Sequence, residues 1–174
     1  MAPFLFTSQR LGFREMEAAD GDWFYRLNED PEVIRHTGDP PFANKAAANH
    51  FVQHYDAYRK TGMGRWVLQL LENGQPIGWC GLKRRATGDV DVGFRLFRSQ
   101  WGQGLATEAA KRCLQWGFDT LLLHEIIGEA QLENGASIRV LQKIGMDRQA
   151  IITLDGKAGE RYSIDRATYQ KRTS

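Results

Sequence analysis

Residues 99–111 read SQWGQGLATEAAK, two glycines one residue apart followed at once by a run with amphipathic helical spacing. The first turn of a helix leaves several backbone N–H groups without internal partners, and the macrodipole makes that end positive. Ser, Thr, Asp or Asn usually caps such an end. Glycines there remove the Cβ wall and let an anionic group reach the amides. Between a strand and a helix, WGQGLA therefore suits a phosphate cradle; it equally suits a tight turn that binds nothing. No Lys-Ser/Thr pair follows the second glycine, so this is not a P-loop, and no third glycine completes a dinucleotide fingerprint.

Outward from this stretch the periodicity changes. From Arg65, RWVLQLLENGQPIGWCGLKRRATGDVDVGFRLF alternates with period two and predicts three strands in a meander, with turns at Asn73-Gly74 and Thr87-Gly88-Asp89. The helix after the glycines is expected to run to about Phe118. HEIIGEAQLE (His124 to Glu133) predicts another strand. NGASIRVLQKIG predicts a helix with Asn134 as N-cap, Gly145 as its left-handed terminal residue, and Ile138, Leu141 and Ile144 along one face. Two further strands, near Arg148 to Leu154 and Arg161 to Thr168, are joined by Asp155-Gly156. Toward the N-terminus, Gln9 to Met16 reads as a first strand. A helix around Trp23 to Asn28 is ended by Pro31, Pro40 and Pro41. Ala43 to Lys60 reads as one helix, with Phe51, Tyr55 and Tyr58 on a core face. The order β, α, α, three β, α, β, α, β, β predicts an α/β (α+β) mixed sheet rather than a doubly wound one.

The 174 residues suit one domain, 1–174, and a formal charge of +2 implies neither a polybasic nor an acidic tail. No direct nucleic-acid binding is expected. The apolar run at Met1 to Gln9 is too short for a signal peptide, and no stretch approaches about 18 apolar residues, so a cytoplasmic protein without membrane contact is expected. Cys80 and Cys113 form no metal spacing and read as reduced, core-packed thiols. His50 and His54, at i, i+4, lack an evident third ligand among His36 and His124, so no metal is expected.

A second constellation joins the first. DVGFRL (Asp91 to Leu96), WGQGLATEA (Trp101 to Ala109), NGAS (Asn134 to Ser137) and KIGM (Lys143 to Met146) together resemble the GNAT acetyltransferase superfamily. Within it they are similar to the branch of the ribosomal-protein N-terminal acetyltransferases; QRLGFREME and DPEVIRHTGD near the N-terminus carry the same likeness. Met146 stands where that branch usually has Phe, a volume-tolerant change on the core side.

The resemblance implies a mostly antiparallel mixed sheet whose single parallel pair splays to admit acetyl-CoA. The backbone of Phe94, Arg95 and Leu96 would pair with the pantetheine arm as an extra strand would. The amides of Gly102, Gln103, Gly104, Leu105, Ala106 and Thr107 would hold the pyrophosphate, and Asn134 would bond the pantetheine. Leu141 occupies the place where many members carry a tyrosine acid, so the resemblance points instead to Ser137 as the proton donor to the leaving thiolate. Asp91 and Glu129 are the candidate bases. The expected reaction is direct transfer of an acetyl group from acetyl-CoA to a primary amine, of a protein N-terminus or a small molecule, entering near His36 to Phe42. A homodimer is left open. The alternative is a module that binds acyl-CoA as a sensor and transfers nothing.

Overall fold

The computed structural model describes residues 3–174. Eight strands form one sheet: β1 Phe6–Thr7, β2 Leu11–Arg14, β3 Arg65–Leu70, β4 Pro76–Arg84, β5 Val90–Leu96, β6 Glu125–Gln131, β7 Asp147–Leu154 and β8 Lys157–Asp165. Their spatial order is β1-β2-β3-β4-β5-β6-β8-β7, and every neighbouring pair is antiparallel except β5 and β6. This is the mixed sheet that the element order predicts.

Alternation along the strands gives the sheet two faces with two cores. Trp66 and Leu68 of β3, Cys80 and Leu82 of β4, and Val90 and Val92 of β5 belong to the larger core. Ala109, Ala110, Cys113 and Leu114 of α5 (Leu105–Gln115), and Leu141 of α6 (Gly135–Lys143), also belong to it. On the other face Val67 of β3 packs with Trp23, Phe24 and Leu27 of α1 (Gly21–Glu29), Val33 of α2 (Pro31–Ile34) and Val52 of α3 (Lys45–Gln53). Trp79 lies against this smaller core. Two short helices, α4 (Ala57–Thr61) and α7 (Arg166–Thr173), complete the chain.

The central meander and both of its turns stand where the period-two reading puts them. At the first turn only Gly74 takes a positive φ, +71°, whereas the dipeptide signal allowed it for Asn73 as well. Asp155 and Gly156 both do, at 49° and 76°, as a tight hairpin requires. Four boundaries stand out as different from expectation. The first strand, expected over Gln9 to Met16, is the shorter β2, and an unexpected β1 precedes it to make an antiparallel hairpin pairing Phe6 with Phe13. The helix expected over Ala43 to Lys60 breaks after Gln53, because the Tyr55 and Tyr58 hydroxyls must both reach the backbone of Arg65, at 2.9 and 2.5 Å. The last strand stops at Asp165, whose carboxylate caps α7 by accepting from the Thr168 N–H at 2.7 Å. Helix α5 ends in a π-helical turn, Trp116–Thr120, in place of a straight run to Phe118.

Cys80 and Cys113 are free and fully buried, with Sγ atoms 3.5 Å apart. Burial pushes the Cys113 thiol well above its ordinary pKa, so it stays protonated and inert.

Candidate functional site

Strands β5 and β6 share one ladder position, Asp91 with Ile127. Beyond it they part, while β5 stays paired with β4 as far as Leu96 and β6 with β8 as far as Gln131. The gap opens into a cleft of about 460 Å³. Its walls are Phe94, Arg95 and Leu96 of β5, the loop and first turn that begin α5, the start of α6, and α2 with the residues after it. Of the expected cofactor residues, Phe94, Arg95, Leu96, Gly102, Gly104, Leu105, Ala106, Thr107 and Asn134 line this cleft; Gln103 lies in the same loop, its carbonyl accepting from Arg10.

The glycines of the loop are conformational necessities. Gly102 and Gly104 have φ of +74° and +75°, which L side chains adopt only under strain. A Cβ built on Gly102 meets no heavy atom within 4 Å, so the space over it is open. Gly104 is the N-cap of α5 and no side chain caps that end. Amides at a positive helix end, facing an open cleft with nothing to cap them, fit a pyrophosphate.

At the facing helix, Asn134 Oδ1 accepts from the Ser137 N–H at 3.2 Å, so Asn134 is the N-cap of α6. That bond turns its side chain toward the first turn of α6, where Ser137 lines the same cleft. Leu141 is buried against β6: a Cβ on Gly128 would come 2.5 Å from Leu141 Cδ2. Leu141 thus belongs to the core and does not line the cleft.

The two candidate bases have different surroundings from those their sequence context suggests. Asp91 and Glu129 are both buried, and neither lines the cleft. Arg65 donates to Asp91 Oδ2 at 2.7 Å, and Arg85 reaches Asp91 Oδ1 at 3.3 Å and Glu129 Oε2 at 2.7 Å. Arg161 closes the chain onto Glu129 Oε1 at 2.8 Å. Burial works against the Arg85 charge, but Glu129 and Asp91 outweigh it and the guanidinium holds its proton more tightly than usual. The four carboxylate oxygens are engaged by arginines, which leaves each acid poorly placed to accept a proton from a substrate.

On the same sheet face, Trp79 and Arg95 are direct cross-strand neighbours, and the Arg95 guanidinium carbon lies 5.3 Å from the centre of the Trp79 ring. Arg95 also bonds Asn28 and, at 2.7 Å, Asp39. Trp79 Nε1 and Arg95 Nε are nevertheless buried without a partner among the described residues. Buried donors rarely go unpaired. Groupings of His, Cys, Asp and Glu able to hold a metal do not occur among the described residues.

A family model described as "Acetyltransferase (GNAT) domain" matches residues 10–147. The chain belongs to the GNAT acetyltransferase family. It is 28% identical over 148 residues to the uncharacterised N-acetyltransferase p20 of Bacillus licheniformis, covering 83% of each chain. Among solved structures, a GNAT-family acetyltransferase from Bacillus anthracis superposes with a TM-score of 0.81 at 24% identity, over 92% of this chain and 98% of that one. A spermidine N-acetyltransferase from Vibrio cholerae, in complex with CoA and spermine, gives 0.78 at 18% identity over 92% and 98%. The fold is thus the GNAT fold, with its parallel pair at β5 and β6. Sequence reasoning missed the arginines that occupy the two acids, because Arg65, Arg85 and Arg161 lie on separate strands or turns. It also passed over Gln131, a buried residue at the end of β6 that pairs with His36.

Proposed function

We propose that this GNAT-family protein is an acetyl-CoA-dependent N-acetyltransferase whose acceptor is a primary amine of the α-amine class, on a peptide N-terminus or a small molecule. The observation that carries this reading is the parted β5–β6 seam opening onto the uncapped glycine end of α5. The amides of Gly102 to Thr107 hold the pyrophosphate, the Phe94 to Leu96 backbone meets the pantetheine, and Asn134 adds a side-chain contact. Acetyl-CoA supplies an activated thioester acyl group. Ser137 is assigned to protonate the departing thiolate, and Asp91 and Glu129 to brace the seam through Arg85. The quoted motifs support a place beside the ribosomal-protein N-terminal branch, and a cytoplasmic setting agrees with the absence, among the described residues, of any helix long and apolar enough to cross a membrane.

Charge supports the choice of acceptor. A polyamine calls for free carboxylates, whereas the two that line the cleft, Glu32 and Glu133, are paired with Arg35 at 3.6 Å and Lys157 at 3.3 Å, and Arg95 adds a cation on the β5 wall. Energy agrees: deprotonating an α-amine at pH 7 costs about 1 kcal/mol, against about 4.6 kcal/mol for a lysine-type amine.

The test is CoA release and product mass with acetyl-CoA and, in turn, trialanine, free methionine, an aminoglycoside and spermidine. Turnover is expected with trialanine or methionine ahead of spermidine. Calorimetric acetyl-CoA binding with no turnover on any of the four would instead establish an acyl-CoA sensor.

A further inference from the structure

An ammonium acceptor must lose a proton before it can attack, and with Asp91 and Glu129 held by arginines that proton needs another destination. His36 lines the cleft together with Phe94, Leu96 and Ser137. Its Nδ1 lies 3.2 Å from Oε1 of Gln131, a buried residue at the end of β6. An amide oxygen only accepts, so Nδ1 carries the ring proton and Nε2 carries the free lone pair. This is the arrangement a base requires, with the ring orientation fixed by a second residue.

The backbone around His36 is well anchored. Pro31 begins α2, the Asp30 carboxylate accepts from the Glu32 N–H at 3.0 Å, and Val33 is buried in the smaller core. Thr37 Oγ1 donates to the Ile34 carbonyl at 3.0 Å. Gly38 has φ +70° and lies so close to the β7–β8 turn that a Cβ would stand 2.2 Å from Asp155 Oδ2. His36 is therefore held on the parted side of the seam, bridging α2 to the end of β6.

Resting on the transferase reading above, we infer that His36 is the general base of this enzyme and that Gln131 positions it. His36 Nε2 takes one proton from the acceptor ammonium and passes it to solvent. The neutral nitrogen then forms the N–C bond as the C–S bond breaks, and the sulfur leaves with the electron pair. Ser137 protonates that sulfur and is reprotonated at the expense of the second amine proton. The balance is ammonium plus thioester giving amide, thiol and one released proton. Charged groups around the cleft that holds the ring are Glu32 on α2, Arg35 at its C-terminal cap, Asp39 in the following loop, Arg95 on β5, Glu133 after β6, Arg139 and Lys143 on α6 and Asp155 in the β7–β8 turn.

The experiment is a pH–rate profile with the best acceptor of the four-amine panel. His36→Gln is expected to lower kcat/KM at neutral pH by about a hundredfold, within the range of general-base catalysis. Its acetyl-CoA affinity by calorimetry stays unchanged, and activity returns at pH above the acceptor's own pKa. Gln131→Glu places a carboxylate on Nδ1, favours the imidazolium, and is expected to move the acid limb of the profile to higher pH, a displacement that a merely structural role would not produce. Wild-type turnover with both variants unchanged in rate and profile would overturn the inference while leaving the transferase reading intact. Loss of rate in His36→Gln with an unmoved acid limb in Gln131→Glu would also overturn it. A wild type that turns over none of the panel refutes the transferase reading itself.

Discussion

Arg85 NH1 donates to Glu129 Oε2 at 2.7 Å, across the seam where β5 and β6 separate. The same guanidinium reaches Asp91, the last β5 residue that still pairs with β6. One side chain thus ties the two edges of the opening.

Arg85→Gln removes that tie while Arg65 and Arg161 continue to hold Asp91 and Glu129. The expected loss is about 1–3 kcal/mol in urea unfolding, the cost of leaving buried carboxylate oxygens short of a donor. The KM for acetyl-CoA is expected to rise as the seam loosens. An unchanged unfolding curve would remove Arg85 from that role.

Gly104→Ala tests the cradle, and Gly62→Ala is its control. Both glycines have positive φ, +75° and +71°, and a Cβ at either meets nothing closer than 3.8 Å. Each substitution costs about 1–2 kcal/mol of backbone strain. Only Gly104→Ala is expected to weaken acetyl-CoA binding, by about tenfold or more in calorimetry, or about 1.4 kcal/mol. Equal affinities in the two variants would show that Gly104 serves the turn alone.

Ser137→Ala and Asn134→Ala separate chemistry from binding at the start of α6. The first is expected to lower kcat by roughly tenfold to a thousandfold with little change in acetyl-CoA affinity, since the hydroxyl acts in the transition state. The second loses a cap, about 1 kcal/mol of stability, and raises the KM for acetyl-CoA. Steady-state kinetics beside thermal melts distinguish the two patterns.

How far these residues could be read beforehand depended on the reach of their interactions. Asn134, Ser137 and Gly145 take part in local capping geometry, and their spacing alone located α6. The period-two run from Arg65 located β3 to β5 because each residue's face is fixed by its neighbours. The break after Gln53 was invisible, since its cause is a pair of tyrosine hydroxyls reaching Arg65 and no Pro or Gly marks it. The engagement of Asp91 and Glu129, and the 3.2 Å contact of His36 with Gln131, depend on residues far apart in the chain.

Acid stability rests on a different ion pair. Arg14 donates to both oxygens of Asp20 at 2.7 Å, and Trp23 Nε1 and the Glu17 N–H add two more donors. Burial pushes the Asp20 carboxyl up, but the hydrogen bonds from Arg14, Glu17 and Trp23 outweigh it and hold the group below the usual carboxylate range. A depressed folded pKa means the stabilisation is present above the unfolded value of about 3.9 and is lost as pH falls through the folded value. Asp20→Ala is expected to cost about 3–5 kcal/mol near neutral pH. Urea unfolding repeated from neutral pH down to about 2.5 should show the gap to wild type narrowing below about pH 4. A constant gap would rule out Asp20 as the titrating group.

With one ladder position shared between β5 and β6, the eight strands behave as a five-stranded leaf and a three-stranded leaf. Backbone hydrogen bonds cannot carry cooperativity across that joint, so it passes through the shared core beneath and the arginine chain above. The leaves are then natural units of partial opening, and amide exchange should report two protection classes with the β6 side of the gap among the faster. A ligand spanning the gap would stitch the leaves into a single unit and slow exchange on both at once.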